Sequence, residues 1–120
     1  MLTREHVQRW LDDYMAAWRS YDPDDIRALF APDASYAHHP WDEPLQGAVA
    51  VVASWLDNRD EPGSWAAAYA PGLIDGNAAT ARGETRYTDG QHFSNLFELE
   101  FDDEGRCTRF TEWYLEQPQA

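Results

Sequence analysis

The second half of the chain is divided by acidic–glycine turn signals at regular intervals. Asp75-Gly76, Asp89-Gly90 and Asp103-Glu104-Gly105 follow one another about fourteen residues apart. Such pairs between segments of alternating hydrophobicity are typical of tight β-hairpin turns. Everything beyond Ser64 is therefore predicted to form a meander of four long antiparallel strands.

The first half of the chain predicts helices instead. After Thr3, a suitable N-cap, apolar residues recur at helical spacing on one face: Val7, Trp10, Leu11, Tyr14, Met15 and Trp18. Asp22-Pro23 predicts the start of a second, short helix that continues to Phe30, and Pro32 is expected to end it.

A strand over residues 34–39 and a third helix after Gly47 complete the predicted order of elements. The third helix is expected to end before the turn at Pro62-Gly63. At 120 residues the chain has the length of one domain. Residues 1–120 are therefore predicted to form a single α+β domain in which three N-terminal helices cover one face of the sheet.

The amino-acid composition excludes some reactions and disfavours some classes of binding partner. The formal net charge is -13, and all nine basic residues are Arg, so Schiff-base chemistry by a lysine is excluded. A surface this negative repels nucleic acids and anionic membranes. The single cysteine, Cys107, cannot form an internal disulfide, and the charged N-terminus does not match a signal peptide or a membrane span. We therefore expect a cytoplasmic protein.

Alternation along the predicted strands separates an inner from an outer face of the sheet. In the third long strand the inner face carries Phe93, Asn95, Phe97, Leu99 and Phe101. In the last strand Phe110 and Tyr114 are expected to be core partners. Glu112 shares their face, so it is predicted to point inward as an acid among aromatic side chains.

The outer face is predicted to carry a charge ladder that faces solvent or a second subunit. Its expected cross-strand pairs join Arg82, Arg86 and Arg109 with Glu98 and Glu100. Cys107 is placed with the outward residues and is interpreted as structural. No HxH, HExxH or paired-cysteine spacing is present, so no metal site is predicted.

Three segments resemble the NTF2-like superfamily, in particular its SnoaL-like and ketosteroid-isomerase-like branch. They are YMAAW in the first helix, ALFAPDASY leading into HPWDEPLQG, and FELEFDDEGRCTRFTEWY near the end. The resemblance covers nearly the whole chain. It implies a cone-shaped fold, in which a strongly curved antiparallel sheet encloses a pocket plugged by the helices, and a homodimer formed through the outer face of the sheet.

The resemblance also implies roles for single residues. Aligning YMAAW and ALFAPDA without gaps places Tyr14 at the oxyanion-hole tyrosine of the isomerase and His38 at its catalytic aspartate. A shift of one residue, anchored on the following proline, selects His39 instead. Strand alternation favours His38, which shares a face with Tyr36, but both histidines remain candidates.

Two further positions follow from the same comparison. The second oxyanion-hole acid of the isomerase falls near Phe97, so that feature is missing, and Asn95 is the nearest polar substitute. Glu112 aligns approximately with a catalytic aspartate of members similar to limonene epoxide hydrolase. Their companion arginine has no inward counterpart here.

The leading hypothesis is a cofactor-independent protein with an aromatic-lined pocket for a small apolar or polyketide-like molecule. Acid–base chemistry (isomerisation, cyclisation or hydration) would be carried by the catalytic candidates His38, Glu112 and Tyr14. The predicted ligand-binding residues are Asn95, Trp41, Tyr36, Phe97, Phe110 and Trp18.

The alternative is a non-catalytic ligand-binding or dimerisation module. In that case Glu112 and His38 would form a structural pair, and Trp10, Trp18, Trp55 and Phe97 would fill the pocket. A third possibility is a partner-binding protein that uses Trp113 on the outer face. An open cavity favours the first hypothesis and a filled one favours the alternative.

Overall fold

The computed structural model describes residues 2–118. The helices are α1 (Arg4–Ser20), α2 (Pro23–Ala28) and α3 (Ala48–Asp57). The strands are β1 (Phe30–Ala37), β2 (Leu45–Gln46), β3 (Trp65–Asp75), β4 (Ala78–Tyr87), β5 (His92–Phe101) and β6 (Cys107–Glu116). All six strands form one sheet in the order β2-β1-β6-β5-β4-β3. The predicted α+β architecture, with three helices and a four-strand meander, is confirmed.

Helix α1 begins and ends at the residues its sequence favours. The Thr3 side chain accepts a hydrogen bond from the His6 N–H, and Tyr21 adopts a left-handed conformation that closes the helix onto the Ala17 carbonyl. Its apolar face packs on the sheet, where the Trp10 ring meets Phe101 at 5.7 Å. The buried Trp10 Nε1 donates to the Leu29 carbonyl at 2.9 Å, which satisfies the polar end of that side chain.

The boundary between α2 and β1 differs from the prediction. Helix α2 ends at Ala28, so Phe30 begins β1 and Pro32 lies inside the strand instead of ending the helix. The Cys107 N–H donates to the Leu29 carbonyl. The residues after Leu29 therefore pair with β6 and do not extend the helix. Pro32, which has no N–H, falls where the pairing of β1 with β6 shifts register, a position that tolerates proline.

The sheet is antiparallel except at one junction. Strand β1 pairs with β6 in parallel, with Tyr36 opposite Phe110 and Ala37 opposite Thr111. The short strand β2, which was not predicted, pairs with β1 on the other side. Strand β2, helix α3 and strands β3 to β5 therefore separate two strands along the chain that become neighbours in the sheet.

The predicted outward position of Cys107 is wrong. Arg109 lies opposite Glu100 and Cys107 lies opposite Phe101, so β6 contains Thr108 as one extra residue at this point. A bulge of this kind reverses the alternation of side chains. Cys107 is therefore buried, and burial raises the pKa of its thiol to about 12.

The predicted charge ladder forms only in part. Arg109 Nη1 lies 3.7 Å from Glu100 Oε2, as expected. Arg82 instead faces Leu96, while Arg86 lies 4.0 Å from Glu84 of its own strand. Glu98 accepts a hydrogen bond from Trp113 Nε1 at 2.6 Å, and no arginine within residues 2–118 forms an ion pair with it.

The inner face of β4 contains a glycine that the neighbouring strand requires. Gly83 pairs with Tyr69, and a Cβ on Gly83 would lie 2.1 Å from the Tyr69 ring and from the Ala68 carbonyl oxygen. The absence of a side chain thus lets the Tyr69 ring lie flat across β4. This places the Tyr69 hydroxyl 2.8 Å from Thr85 Oγ1.

We predict that Gly83→Ala lowers the free energy of unfolding by about 1–3 kcal/mol, because the new methyl group overpacks the site and displaces Tyr69. Urea unfolding followed by tryptophan fluorescence measures the change. Arg82→Ala, at the adjacent exposed position, is the matched control and should stay within about 0.5 kcal/mol of the wild type. Equal unfolding midpoints for Gly83→Ala and the wild type would show that the strand accommodates the methyl group.

Candidate functional site

A cavity of about 690 Å³ lies between the inner face of the sheet and helices α1 and α3. Its volume is suited to a small organic molecule. Aromatic side chains make up much of the wall: Tyr14, Trp18, Tyr21, Tyr36, Trp55, Tyr69, Tyr87, Phe93 and Tyr114. His38, Asn95 and Glu112 are among its polar lining residues. Trp18 and Trp55 thus stand in the wall and leave the space open.

Two predicted ligand-binding residues lie beneath the cavity instead of in its wall. Phe97 and Phe110 are fully buried and pack against each other at 4.9 Å. Tyr14 covers both rings, at 5.4 Å from Phe97 and stacked at 6.0 Å on Phe110. These phenylalanines therefore support Tyr14 and do not face the cavity.

Glu112 projects from β6 into the cavity wall, as strand alternation predicted. Asn95 Nδ2 donates to Glu112 Oε2 at 3.1 Å, and within residues 2–118 it is the one hydrogen-bond donor to this carboxylate. Asn95 lies on the adjacent strand β5 and is only 8% exposed. The two predicted site residues are therefore brought into direct contact.

A chain of hydrogen bonds continues from Asn95 across two more strands. Asn95 Oδ1 accepts from Thr85 Oγ1 at 2.9 Å, and Thr85 Oγ1 lies 2.8 Å from the Tyr69 hydroxyl. Because the single hydroxyl proton of Thr85 is used toward Asn95, Tyr69 is the donor to Thr85. With Asn95 in this orientation, every donor in the chain points toward Glu112, which supports its carboxylate form.

The electrostatics of Glu112 are dominated by its surroundings. Burial raises the pKa of its carboxyl group from 4.5 to about 7, although the hydrogen bond from Asn95 and the nearby His39 act in the opposite direction. Burial thus moves the titration of Glu112 toward neutral pH. A carboxyl group with such a pKa can accept or donate a proton, as acid–base catalysis requires.

His38 lies in the cavity wall immediately after β1. Its ring meets Tyr36 edge to face at 4.9 Å, and His38 Nε2 lies 3.1 Å from Ser54 Oγ on α3. Burial, followed by the neighbouring His39, lowers the pKa of His38. His38 is therefore held as a neutral imidazole by a hydroxyl group, and its described hydrogen bond does not go to Glu112.

His39 points away from His38, toward a turn at the mouth of the cavity. His39 Nδ1 lies 2.8 Å from Asp42 Oδ2, and His39 Nε2 lies 2.6 Å from the Tyr114 hydroxyl. Trp41 stacks on the His39 ring at 4.8 Å. Trp41 is 78% exposed and lies outside the cavity wall, so the structure does not place it where a pocket residue was expected.

Tyr114 also departs from its expected position as a core residue. It is 41% exposed and stands at the rim of the cavity, where its ring meets Phe93 edge to face at 5.6 Å. It lies near the end of β6, and its hydroxyl contacts His39 in the turn after β1. Only Phe110 of the two predicted core partners is buried.

The deep end of the cavity carries two tyrosine hydroxyl groups. Within residues 2–118 the hydroxyl of Tyr14 forms no described hydrogen bond, and burial raises its pKa well above the usual value. Burial, followed by the charge of Glu112, also raises the pKa of Tyr36, while a hydrogen bond with the Trp55 side chain acts in the opposite direction. Both hydroxyl groups therefore keep their protons, and Tyr14 can donate to an oxygen atom of a ligand.

Trp18 closes one side of the cavity. It stacks on Trp65 with ring centres 3.5 Å apart, and Trp18 Nε1 donates to Asp60 Oδ2 at 3.0 Å. Asp60 N–H in turn donates to the Tyr21 hydroxyl at 2.8 Å. These contacts tie the segment after α3 to α1 and fix the rim at this end.

The described residues contain no metal cluster and no membrane helix. Within residues 2–118, no group of three His, Cys, Asp or Glu side chains is arranged to hold a metal ion. In the same part of the chain, none of the helices combines the length and apolar character needed to cross a bilayer.

Some cavity residues lie beyond those that the sequence singled out. Alternation along β4 is compatible with Thr85 and Tyr87 on the inner face, but nothing local links Thr85 to Asn95. Tyr69 carries an available signal, since it is a large aromatic residue on a predicted strand of the sheet. Asp60 lies in a connecting segment, where neither spacing nor alternation indicates which side chains face the cavity.

The comparisons with known proteins agree on the fold. The family model described as SnoaL-like domain matches residues 11–111. A ketosteroid isomerase-like protein from Kribbella flavida has a TM-score of 0.73 at 20% identity, and the superposition covers 98% of this chain and 83% of that protein. An NTF2-like protein from Burkholderia xenovorans has a TM-score of 0.75 at 17% identity, and the superposition covers 97% of this chain and 88% of that protein.

A third similar structure is an LEH-like epoxide hydrolase from M. tuberculosis, with a TM-score of 0.68 at 16% identity, covering 93% of this chain and 84% of that protein. No curated protein sequence matches the chain. Identities this low establish a shared fold and leave the activity to be argued from the cavity.

We predict that Glu112 makes stability depend on pH in a specific direction. Burial raises the pKa of Glu112 in the folded state, so the folded protein favours the protonated carboxyl group more than the unfolded chain does. The contribution of Glu112 to the free energy of unfolding is therefore complete below about pH 4.5 and is lost as the pH rises through about 7. Relative to Glu112→Gln, the wild type should lose about 3 kcal/mol of unfolding free energy between pH 4 and pH 9. Urea unfolding of both proteins across this range measures the difference. A constant difference would show that Glu112 behaves as an ordinary surface carboxylate.

Proposed function

Because the chain belongs to the SnoaL-like domain family of the NTF2-like superfamily, we propose that it binds a small apolar or polyketide-like molecule and catalyses cofactor-independent acid–base chemistry on it. The reactions that fit are isomerisation, cyclisation and hydration, each of which moves a proton next to a carbonyl, hydroxyl or epoxide group. The observation that supports this most is Glu112, a carboxyl group with a pKa of about 7 in the wall of an open cavity.

The residues around Glu112 suit the removal of a proton from carbon. The carboxylate takes the proton, while a hydroxyl donor at the deep end of the cavity stabilises the negative charge that develops on the substrate oxygen. Tyr14 is the favoured donor, because its hydroxyl lines the cavity and keeps its proton. In this proposal His38, neutral and bound to Ser54, carries the second proton transfer.

The wall of the cavity supports the proposed ligand class. Stacked and edge-to-face aromatic rings offer contact area to a flat or cyclic apolar molecule. Among the described residues, the cavity is lined by the acidic residues Asp60, Glu61, Asp89 and Glu112 and by a single arginine, Arg59. This balance of charges disfavours phosphorylated or carboxylated substrates.

We expect proton abstraction to be detectable without knowledge of the natural substrate. In heavy water, the wild type should exchange the α-protons of a bicyclic aromatic ketone such as tetralone, followed by NMR. The exchange should increase with pH through about 7, because only the ionised Glu112 can accept a proton. Glu112→Gln should lower the rate by about 100-fold or more.

His38→Ala should abolish turnover while the fold is kept, which near-ultraviolet circular dichroism can check. Asp13→Asn, on the exposed face of α1, is a control outside the cavity and should exchange at the wild-type rate. Unaltered turnover in a folded His38→Ala protein would remove His38 from the mechanism. Unaltered exchange in Glu112→Gln would overturn the proposal as a whole.

A dimerisation module is the second candidate, and the outer face of the sheet favours it. Trp113 is 45% exposed there, and Leu73 and Leu115 are also exposed. Alternation places Trp113 and Leu115 on the face opposite to Glu112. The proposed contact is a homodimer in which this apolar part of the outer face is covered by a second copy.

We predict that Trp113→Glu shifts the protein from dimer to monomer in sedimentation velocity experiments, because a charge would be placed in the proposed contact. Asp13→Asn again serves as a control that should keep the wild-type distribution. A wild type that sediments as a monomer at all accessible concentrations would exclude the dimer.

A further inference from the structure

The turn that follows β1 brings three polar side chains together at the cavity mouth. The Asp42 N–H donates to the His39 carbonyl at 3.1 Å, which closes the turn and places both side chains on one side of it. Asp42 Oδ2 then lies 2.8 Å from His39 Nδ1, and the Tyr114 hydroxyl lies 2.6 Å from His39 Nε2. The Trp41 ring, stacked on His39, fixes the plane of the imidazole.

The direction of the hydrogen bonds follows from the chemistry of the groups. An ionised Asp42 only accepts, so His39 Nδ1 carries the proton in this contact. In the neutral ring, Nε2 then has a lone pair and accepts the hydrogen bond from the Tyr114 hydroxyl. The imidazole is thus held in the tautomer that can remove the proton of Tyr114.

Tyr114 is positioned to use this contact. Its ring stands at the rim of the cavity, on the same face of β6 as Glu112, and its hydroxyl is reachable because the residue is 41% exposed. Burial, followed by the charge of Glu112, raises the pKa of Tyr114. The hydroxyl therefore keeps its proton at neutral pH, and it becomes a nucleophile only when a base takes that proton.

We propose that Asp42, His39 and Tyr114 form a second reactive site, in which His39 acts as general base and Tyr114 as nucleophile toward small uncharged esters. A hydroxyl, a base within hydrogen-bond distance and a third group that orients the base are the arrangement that activates nucleophiles in enzymes. This site is separate from the proton abstraction proposed for Glu112, and it does not depend on it.

The proposed step is an acyl transfer. The Tyr114 oxygen attacks the ester carbonyl carbon, and its proton passes to His39 Nε2. A new bond forms between the Tyr114 oxygen and the acyl carbon, and the bond from that carbon to the leaving oxygen breaks. A phenolate departs as the anion, whereas an alkyl leaving group takes the proton back from His39 Nε2 and departs as the alcohol. Asp42 stabilises the imidazolium that is formed. An uncharged ester is expected because the described acidic residues Asp60, Glu61 and Asp89 line the same cavity.

The chain offers a direct test with p-nitrophenyl acetate as the probe. Lysine amines, which commonly compete for this reagent, are absent from the sequence. Cleavage after arginine separates Tyr114, in residues 110–120, from Tyr87, in residues 87–106. Tyr87 also lines the cavity but has no described contact with a histidine, so it serves as the internal control. Mass spectrometry of the two peptides over time gives the acetylation rate at each tyrosine.

In the wild type we expect Tyr114 to be acetylated about tenfold or more faster than Tyr87. His39→Gln should lower the rate at Tyr114 by a similar factor and leave Tyr87 unchanged. Asp42→Asn should also lower it, since the imidazole loses its orienting carboxylate but keeps its place. Tyr114→Phe should remove the label from residues 110–120.

A purely structural role for His39 predicts that His39→Gln raises the acetylation rate at Tyr114 and does not lower it. If the imidazole only covers Tyr114, His39→Gln exposes the hydroxyl and acetylation becomes faster. That result, or equal rates at Tyr114 and Tyr87 in the wild type, would overturn the proposal. Both His39→Gln and Asp42→Asn alter a turn outside the buried core, and circular dichroism confirms that each variant is folded before the rates are compared.

Discussion

The packing of Tyr14 against the aromatic residues around it determines both the fold and the cavity. From helix α1, its ring contacts Trp10 at 5.6 Å, Trp55 of α3 at 5.2 Å and Phe97 of the sheet at 5.4 Å. Each aromatic pair contributes about 0.5–1.5 kcal/mol beyond the burial of its surface. Because one residue joins two helices to the sheet, the helices are held at a fixed distance from the inner face. The space that remains above Tyr14 is the cavity.

Burying the Glu112 carboxylate among aromatic side chains costs desolvation free energy, and the hydrogen bonds of the fold offset this cost only in part. Glu112 has no cation within hydrogen-bond distance among residues 2–118, and a single amide from Asn95 supports its charge. The amide is itself held by Thr85 and, through it, by Tyr69, whose ring lies flat only because Gly83 has no side chain. A position chosen for stability alone would carry an apolar residue. The arrangement trades stability for a carboxyl group that exchanges protons near neutral pH.

The parts of the fold that follow from local sequence patterns could be predicted from the sequence. Acidic–glycine turns and strand alternation predicted the meander, and alternation alone placed Asn95 and Glu112 on the inner face. Their direct contact follows once the two strands are known to be neighbours. The position of Cys107 was not predictable in this way, because one extra residue in β6 reverses the alternation. The position of the Trp41 side chain could not be predicted either, because it depends on stacking against the His39 ring in a turn.

The contact between His39 and Tyr114 joins residues 75 positions apart and depends on the one parallel pair of strands. In a parallel pair both strands run toward the same edge of the sheet, so the residues that follow β1 meet the last residues of β6. The adjacent histidines then diverge, with His38 toward Ser54 in the cavity and His39 toward Tyr114 at its mouth. An antiparallel pairing would have carried both histidines to the start of β6, away from Glu112. The strand direction at this junction therefore places His38 in the cavity wall and His39 at the cavity mouth.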